Sequence, residues 1–188
     1  MKPALSITAF CLLAWVLAWP AGLAAQEQAA TTPEGEAAEA EPRRGPSGLL
    51  LPRFVSLRSD EVNLRTGPGV RYPIDWVFQR EGLPLEVIDE FENWRRVRDR
   101  TGTEGWVHRA MLSGNRTIVI EGERRSLLAD PTESAATIAY LEPGFLAGLE
   151  RCLDAWCSAV AVGPDGTRYR GWLLRDGLWG LYPDEIVE

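Results

Sequence analysis

The sequence predicts an all-β protein made of two tandem small β-barrels. Three observations lead there: a ten-residue phrase that occurs twice, a succession of short strand-like runs closed by turn residues, and no sustained helical period beyond the N-terminus. The phrase is Gly105-Trp106-Val107-His108-Arg109-Ala110-Met111-Leu112-Ser113-Gly114, and it returns as Gly171-Trp172-Leu173-Leu174-Arg175-Asp176-Gly177-Leu178-Trp179-Gly180 with five of ten positions identical. Self-similarity of this kind marks one structural unit used twice.

The N-terminus comes first in chain order. Lys2 precedes an uncharged run from Pro3 to Ala25, with an apolar centre from Ala9 to Trp19, the helix breaker Pro20 and a small-residue end, Ala21-Gly22-Leu23-Ala24-Ala25. This is the pattern of a secretory signal over residues 1–25, cleaved after Ala24 or Ala25. The alternative is an uncleaved anchor, since the uncharged run is long enough to span a bilayer. Residues 26–48 are rich in Ala, Glu and Pro and have no aromatic residue, so they cannot bury enough apolar surface to offset their ordering entropy. They are expected to form a disordered spacer.

The first unit, residues 49–116, contains strand-like runs at Phe54 to Arg58, Val62 to Arg65, Asp75 to Gln79, Leu85 to Asp89, Trp94 to Arg98 and Gly105 to His108. Gly67-Pro68-Gly69, Glu81-Gly82 and Thr101-Gly102 separate them as turns. The second unit, residues 117–188, repeats the rhythm at Thr137 to Leu141, Phe145 to Leu149, Trp156 to Val162 and Tyr169 to Leu174, with Asp165-Gly166 at a hairpin turn. Upstream of the phrase the copies also align, Asn63-Leu64-Arg65-Thr66-Gly67-Pro68 with Ser126-Leu127-Leu128-Ala129-Asp130-Pro131, and Glu92-Asn93-Trp94 with Asp154-Ala155-Trp156. So many short strands in so short a unit favour a strongly bent barrel, which limits exposed edges. Between the units, Thr117-Ile118-Val119-Ile120 is too strand-like for a free linker, so the two barrels are expected to pack together.

The order Val62-Asn63-Leu64-Arg65, Gly67-Pro68, Gly82, Asn93-Trp94, Val97 and Gly105-Trp106-Val107 resembles the bacterial SH3-like domain family. The resemblance covers Arg53 to Gly114 well and Arg125 to Asp184 more loosely; Leu128 and Asp130 replace Arg65 and Gly67 in the second copy. It implies tandem SH3-like barrels and recognition of cell-wall peptidoglycan or an envelope protein.

After signal removal two cysteines remain, Cys152 and Cys157, on either side of Leu153-Asp154-Ala155-Trp156. In the hairpin that the repeat alignment implies, they face each other at a separation a disulfide bridges, and an exported protein meets an oxidising compartment. Their counterparts in the first copy are Glu90 and Arg95, so the same cross-strand contact is expected to be covalent in one copy and an ion pair in the other. Two cysteines and the single His108 make no recognisable metal site, and no cofactor is expected.

Formal net charge is −7. From Phe54 to Arg116 acids and bases balance, while the second unit has twice as many acidic as basic side chains. Neither half has the basic footprint that nucleic acid demands. The one basic cluster, Arg95, Arg96, Arg98 and Arg100, is answered by Glu90, Glu92, Asp99 and Glu104.

Catalytic patterns are absent: no GxSxG elbow, HExxH pair or phosphate-binding glycine loop occurs. His108 is Leu174 in the other copy, which suits a packing or surface position better than a general base. The chain is therefore expected not to be an enzyme. Trp94, Trp106, Trp156 and Trp172 recur in both copies and are expected to pack the barrels, whereas Tyr72, Trp76 and Trp179 have no aromatic counterpart and suit an exposed face or the junction. The expected ligand-binding residues are Arg65, Tyr72, Trp76, Arg95 and Arg98, with the first copy as the binder. These expectations combine into a non-catalytic periplasmic or secreted protein, free of a membrane span once its signal is cleaved, that binds peptidoglycan or an envelope component. The alternatives are an assembly subunit that uses the acidic copy and, less well supported, a small wall hydrolase.

Overall fold

The computed structural model describes residues 43–188. The expected signal segment, Cys11 and residues 26–42 of the expected spacer lie outside the described residues. A short hairpin, β1 (Arg43–Arg44) with β2 (Leu50–Leu51), leads into a first sheet of β3 (Arg53–Leu57), β4 (Val62–Arg65), β5 (Ile74–Phe78), β6 (Pro84–Phe91), β7 (Trp94–Arg98), β8 (Glu104–His108) and β9 (Leu112–Ser113). The second sheet contains β10 (Thr117–Ile120), β11 (Arg125–Leu128), β12 (Thr137–Leu141), β13 (Leu146–Leu153), β14 (Trp156–Val162), β15 (Arg168–Leu174) and β16 (Leu178–Trp179).

Strand order establishes the duplication independently of sequence. The first sheet runs β5-β4-β8-β7-β6-β3-β9, and the second runs β12-β11-β15-β14-β13-β10-β16. The two orders are the same path traced twice. Each sheet curls around its own core. Leu57, Val62, Leu64, Leu85, Val87, Val97 and Val107 fill the first, and Ile118, Ile120, Leu127, Leu149, Ala159, Ala161 and Leu173 fill the second. Residues drawn from so many strands of one sheet can all be buried only if the sheet bends over them. Burial of one such aliphatic side chain stabilises by about 1.5–3 kcal/mol.

The repeated Gly-Trp pair reverses the expected division of labour. Gly105 and Val107 face the core, as do Gly171 and Leu173, so the intervening Trp106 and Trp172 lie on the outer face and remain part-exposed. Packing is the work of the glycines. A Cβ at Gly105 would lie 2.5 Å from Leu64 Cγ, and one at Gly171 would lie 2.5 Å from the Leu128 carbonyl oxygen. The neighbouring strand can therefore close onto β8 and β15 only where the side chain is missing.

Both central hairpins turn the same way. Phe91 pairs with Trp94 and Leu153 with Trp156, and the first turn residues, Glu92 and Asp154, both adopt positive φ, 48° and 49°. Left-handed backbone at this position suits a tight two-residue hairpin turn.

Residues 43–48, expected to belong to the spacer, are folded. Arg43 to Gly48 is folded as the β1–β2 hairpin because it has polar partners on β6. Ser47 donates from its N–H and Oγ to Glu90, each at 2.8 Å, and Arg43 donates to Asp89 at 3.0 Å. Leu51 then enters the first core, 1% exposed.

The copies pack together as expected. Phe54 stacks edge-on against Trp179 and tilts against Tyr182, with ring centroids 5.1 and 4.8 Å away. Tyr182 donates its hydroxyl to Glu86 Oε1 at 3.0 Å, and Thr117 Oγ1 donates to the Gly82 carbonyl at 2.6 Å. Burial and the Glu86 carboxylate both hold the Tyr182 hydroxyl protonated, well above the usual phenol range.

Candidate functional site

The hairpin ends of the two copies carry the predicted pair of contacts. Glu90 is opposite Arg95 and Cys152 is opposite Cys157 in matching registers. Cys152 and Cys157 form a disulfide with their Cα atoms 4.1 Å apart. Arg95 Nε lies 3.2 Å from Glu90 Oε1, and Arg53 reaches the same oxygen at 2.7 Å. Burial pushes the Glu90 carboxyl up, but hydrogen bonds from Ser47 and Arg53 outweigh it and hold the group below the usual glutamate range.

Of the expected ligand-binding residues, Arg95 is corrected outright. It is 7% exposed, ion-paired to Glu90 through Nε, and donates from Nη1 to the Glu92 and Trp94 carbonyls, so its guanidinium is committed to the hairpin rather than presented on a surface. Arg98 is held by Glu86 and Glu104. Arg65 braces the β4–β5 loop by donating to the Val70 and Tyr72 carbonyls, and the Tyr72 ring covers Gly67, where a Cβ would lie 2.5 Å from it. Arg71 lies over the same ring, 5.1 Å from its centroid. These four residues shape the first copy rather than gather around one site. Asp89 and Glu90, the adjacent carboxylates, are likewise engaged by Arg43, Arg53 and Arg95. His108 packs edge-on against Trp94 and accepts from the Ala110 N–H, capping a short 3-10 turn.

Trp76 is the exception. It is 57% exposed on the edge strand β5 and lines a groove of about 320 Å³ where the copies meet. Trp76, Phe78, Leu83 and Pro84 form the wall from the first copy, and Val119 and Trp179 form the wall from the second. The rim is polar. Asp99 accepts from the N–H groups of Thr101 and Thr103 and from the Thr101 hydroxyl, fixing a loop that presents Thr101, Thr103 and Arg100 to the opening. Trp179 is fixed by its edge-on contact with Phe54 and its indole N–H, which donates to the Pro84 carbonyl at 3.3 Å. One rigid indole, one exposed indole and a rim of hydroxyls suit a ligand with an apolar face and polar edges.

The sequence singled out Trp76 and Trp179 because neither has an aromatic counterpart in the other copy. It missed Pro84, Val119, Thr101 and Thr103, which reach the groove only through the packing of the copies. A second groove, around Trp172, is likewise hidden from the sequence, because a tryptophan shared by both copies suits a core position.

A tandem pair of small bent sheets, with grooves on its surface, defines a modular β-barrel architecture. The family model for the bacterial SH3 domain matches residues 58–114 and again 121–180, and the chain belongs to that family. No curated protein matches the chain. Among solved structures it is similar to NlpC2 from Trichomonas vaginalis, at 14% identity and TM-score 0.31, covering 70% of this chain and 48% of that one. NlpC1 from the same organism gives 13% identity and TM-score 0.31, covering 68% of this chain and 45% of that one. An NlpC/P60 endopeptidase from Photobacterium damselae subsp. piscicida gives 14% and 0.28, with coverages of 69% and 34%. The chain thus spans less than half the length of each of these proteins. The expectation that it is not an enzyme is corrected by these neighbours, one of which is an endopeptidase; at TM-scores of 0.28 to 0.31 the likeness carries no activity across to this chain. Among the described residues no helix is long and apolar enough to cross a membrane.

Proposed function

We propose that this chain is an exported cell-envelope binding protein that holds peptidoglycan in the groove between Trp76 and Trp179. In this reading residues 1–25 are a cleaved export signal, the first copy ends at residue 116 and the second begins at 117. The single observation that carries the reading is Trp76, a large apolar side chain left exposed at the mouth of a groove whose far wall is a second, fixed indole. Membership of the bacterial SH3 domain family and the disulfide both accord with an envelope protein. Indole faces bind sugars and peptides through rigid apolar area that costs little conformational entropy to order.

Co-sedimentation with purified peptidoglycan tests it. The chain is expected to pellet, and Trp76→Ala is expected to weaken retention by about tenfold or more, the scale of losing an aromatic anchor worth over 1 kcal/mol. A folded chain that stayed in the supernatant, or a Trp76→Ala variant that pelleted like the parent, would overturn the assignment.

A further inference from the structure

We propose that the outer face of the second copy carries a separate ligand site, a groove of about 510 Å³ beside Trp172 that takes a small carboxylate-bearing ligand. The carboxylate lies on Arg151 and the apolar body lies along the indole. The groove exists because of what flanks the repeated tryptophan. In the first copy Trp106 has Arg65 and Arg96 as its cross-strand neighbours; in the second, Trp172 has Leu128 and Ser158. Replacing the long Arg96 by Ser158 removes a side chain from beside the ring.

A β-bulge sets the chemistry. The register of β13 against β14 shifts between Leu149 and Arg151, so Glu150 is the extra residue and both Glu150 and Arg151 line the groove. Both oxygens of Glu150 are already engaged. Oε1 accepts from Arg170 at 2.7 and 3.0 Å, and Oε2 accepts from the buried Ser158 hydroxyl at 3.1 Å. Arg151 lies over the Trp172 ring, 4.9 Å from its centroid, and among the described residues it makes no ion pair. The lining therefore carries one more positive than negative side chain, in the half of the chain where acids outnumber bases two to one. A guanidinium stacked on an indole, with its donors unengaged, recognises a carboxylate by paired hydrogen bonds. The first copy has the same bulge, shifted between Val87 and Asp89, but places Asp89 where Arg151 stands, and Arg43 covers it. Arg96 there is paired with Glu104 at 2.7 Å.

The test follows the Trp172 indole N–H resonance, assigned by its loss in Trp172→Phe, during titration with N-acetyl-dialanine, its C-terminal amide, and glucuronate. Saturable shifts are expected with at least one of the two acids, and which one responds tells a peptide source from a sugar-acid source. Amidation and Arg151→Gln should each weaken binding by about tenfold or more, as loss of a charge-assisted hydrogen bond does. Trp76→Ala should leave it unchanged, which separates this site from the groove between the copies, and Ser158→Arg should close it. Absence of a saturable shift with both acids, an amide that binds as tightly as its acid, or an Arg151→Gln variant that binds like the parent would each overturn the site.

Discussion

The two hairpin ends solve one problem with different chemistry. In the first copy, Glu90 and Arg95 meet as a buried ion pair that also binds Arg53 and the incoming β1–β2 hairpin through Ser47. In the second, Cys152 and Cys157 are covalently joined, and the departing C-terminal segment pairs there instead, with the Cys152 N–H donating to the Val187 carbonyl at 2.9 Å. Each copy thus uses its hairpin end to fasten one end of the folded chain. A disulfide needs no further partner, whereas a buried carboxylate needs donors for its remaining lone pairs. The ionic version therefore recruits Ser47 and Arg53, and the covalent version is satisfied by a backbone bridge.

The most severe way to break this comparison is Glu90→Ala. It leaves Arg95 buried without its counter-ion and deprives Ser47 of its acceptor. A loss of about 3–5 kcal/mol is expected, the scale of removing one partner of a buried pair, read as a lower urea midpoint together with earlier proteolysis near Arg44. The glycine of the repeated phrase comes next. Gly171→Ala should cost about 3 kcal/mol because the clash is with the immovable Leu128 carbonyl, while Gly105→Ala should cost about 2 kcal/mol because the added methyl meets the buried Leu64 at its Cγ, with the Arg65 carbonyl oxygen 3.0 Å away. Equal losses in urea denaturation would show that the two strand crossings are equally compliant.

Replacing both cysteines by alanine should cost about 2 kcal/mol, the loop-closure value for so short a loop. The smaller loss expected here than for Glu90→Ala is the point of the comparison, and a reversed order in parallel denaturation curves would contradict it. The mildest effect is on pH. Hydrogen bonds and charge from Arg116 outweigh burial and hold the Glu185 carboxyl below its ordinary value, as Ser47 and Arg53 do for Glu90. A folded-state pKa below the unfolded one contributes stability that is full above the ordinary glutamate value of about 4.3 and is lost as pH falls through the lower folded values. Thermal melts should therefore be flat from neutral pH to about 5 and fall below about 4. Glu185→Gln should flatten part of that fall.

Much of the fold was legible because strand periodicity and turn chemistry are local. The spans Val62–Arg65, Trp94–Arg98, Thr137–Leu141 and Trp156–Val162 coincide with observed strands. The short strands Leu112–Ser113 and Leu178–Trp179 were not read as such, since two residues give no alternation to detect. Arg125–Leu128 was missed as well, although its alignment with β4 was visible. At the site, comparing the copies put Trp76 and Trp179 on an exposed face or at the junction and erred on Arg95 and on all four shared tryptophans, Trp94, Trp106, Trp156 and Trp172, none of which lies in either core. Retention of a residue in both copies does not by itself mark the core. Here the retained feature of the core is the glycine, and its partner tryptophan faces outward.

The sequence by itself determined the duplication, the all-β class, the family and the pairing of Cys152 with Cys157, because each follows from spacing along the chain and from residue types at fixed offsets. Tertiary structure alone decided which face of each strand turned inward, and which side chains from distant strands came to share a groove. Facing depends on whether a neighbouring strand packs against a missing Cβ, as Leu64 does at Gly105, and that contact spans forty-one residues of chain. Groove formation depends on the packing of two cores against each other, with Phe54 seated on Trp179 and Tyr182, a relation that no local pattern encodes.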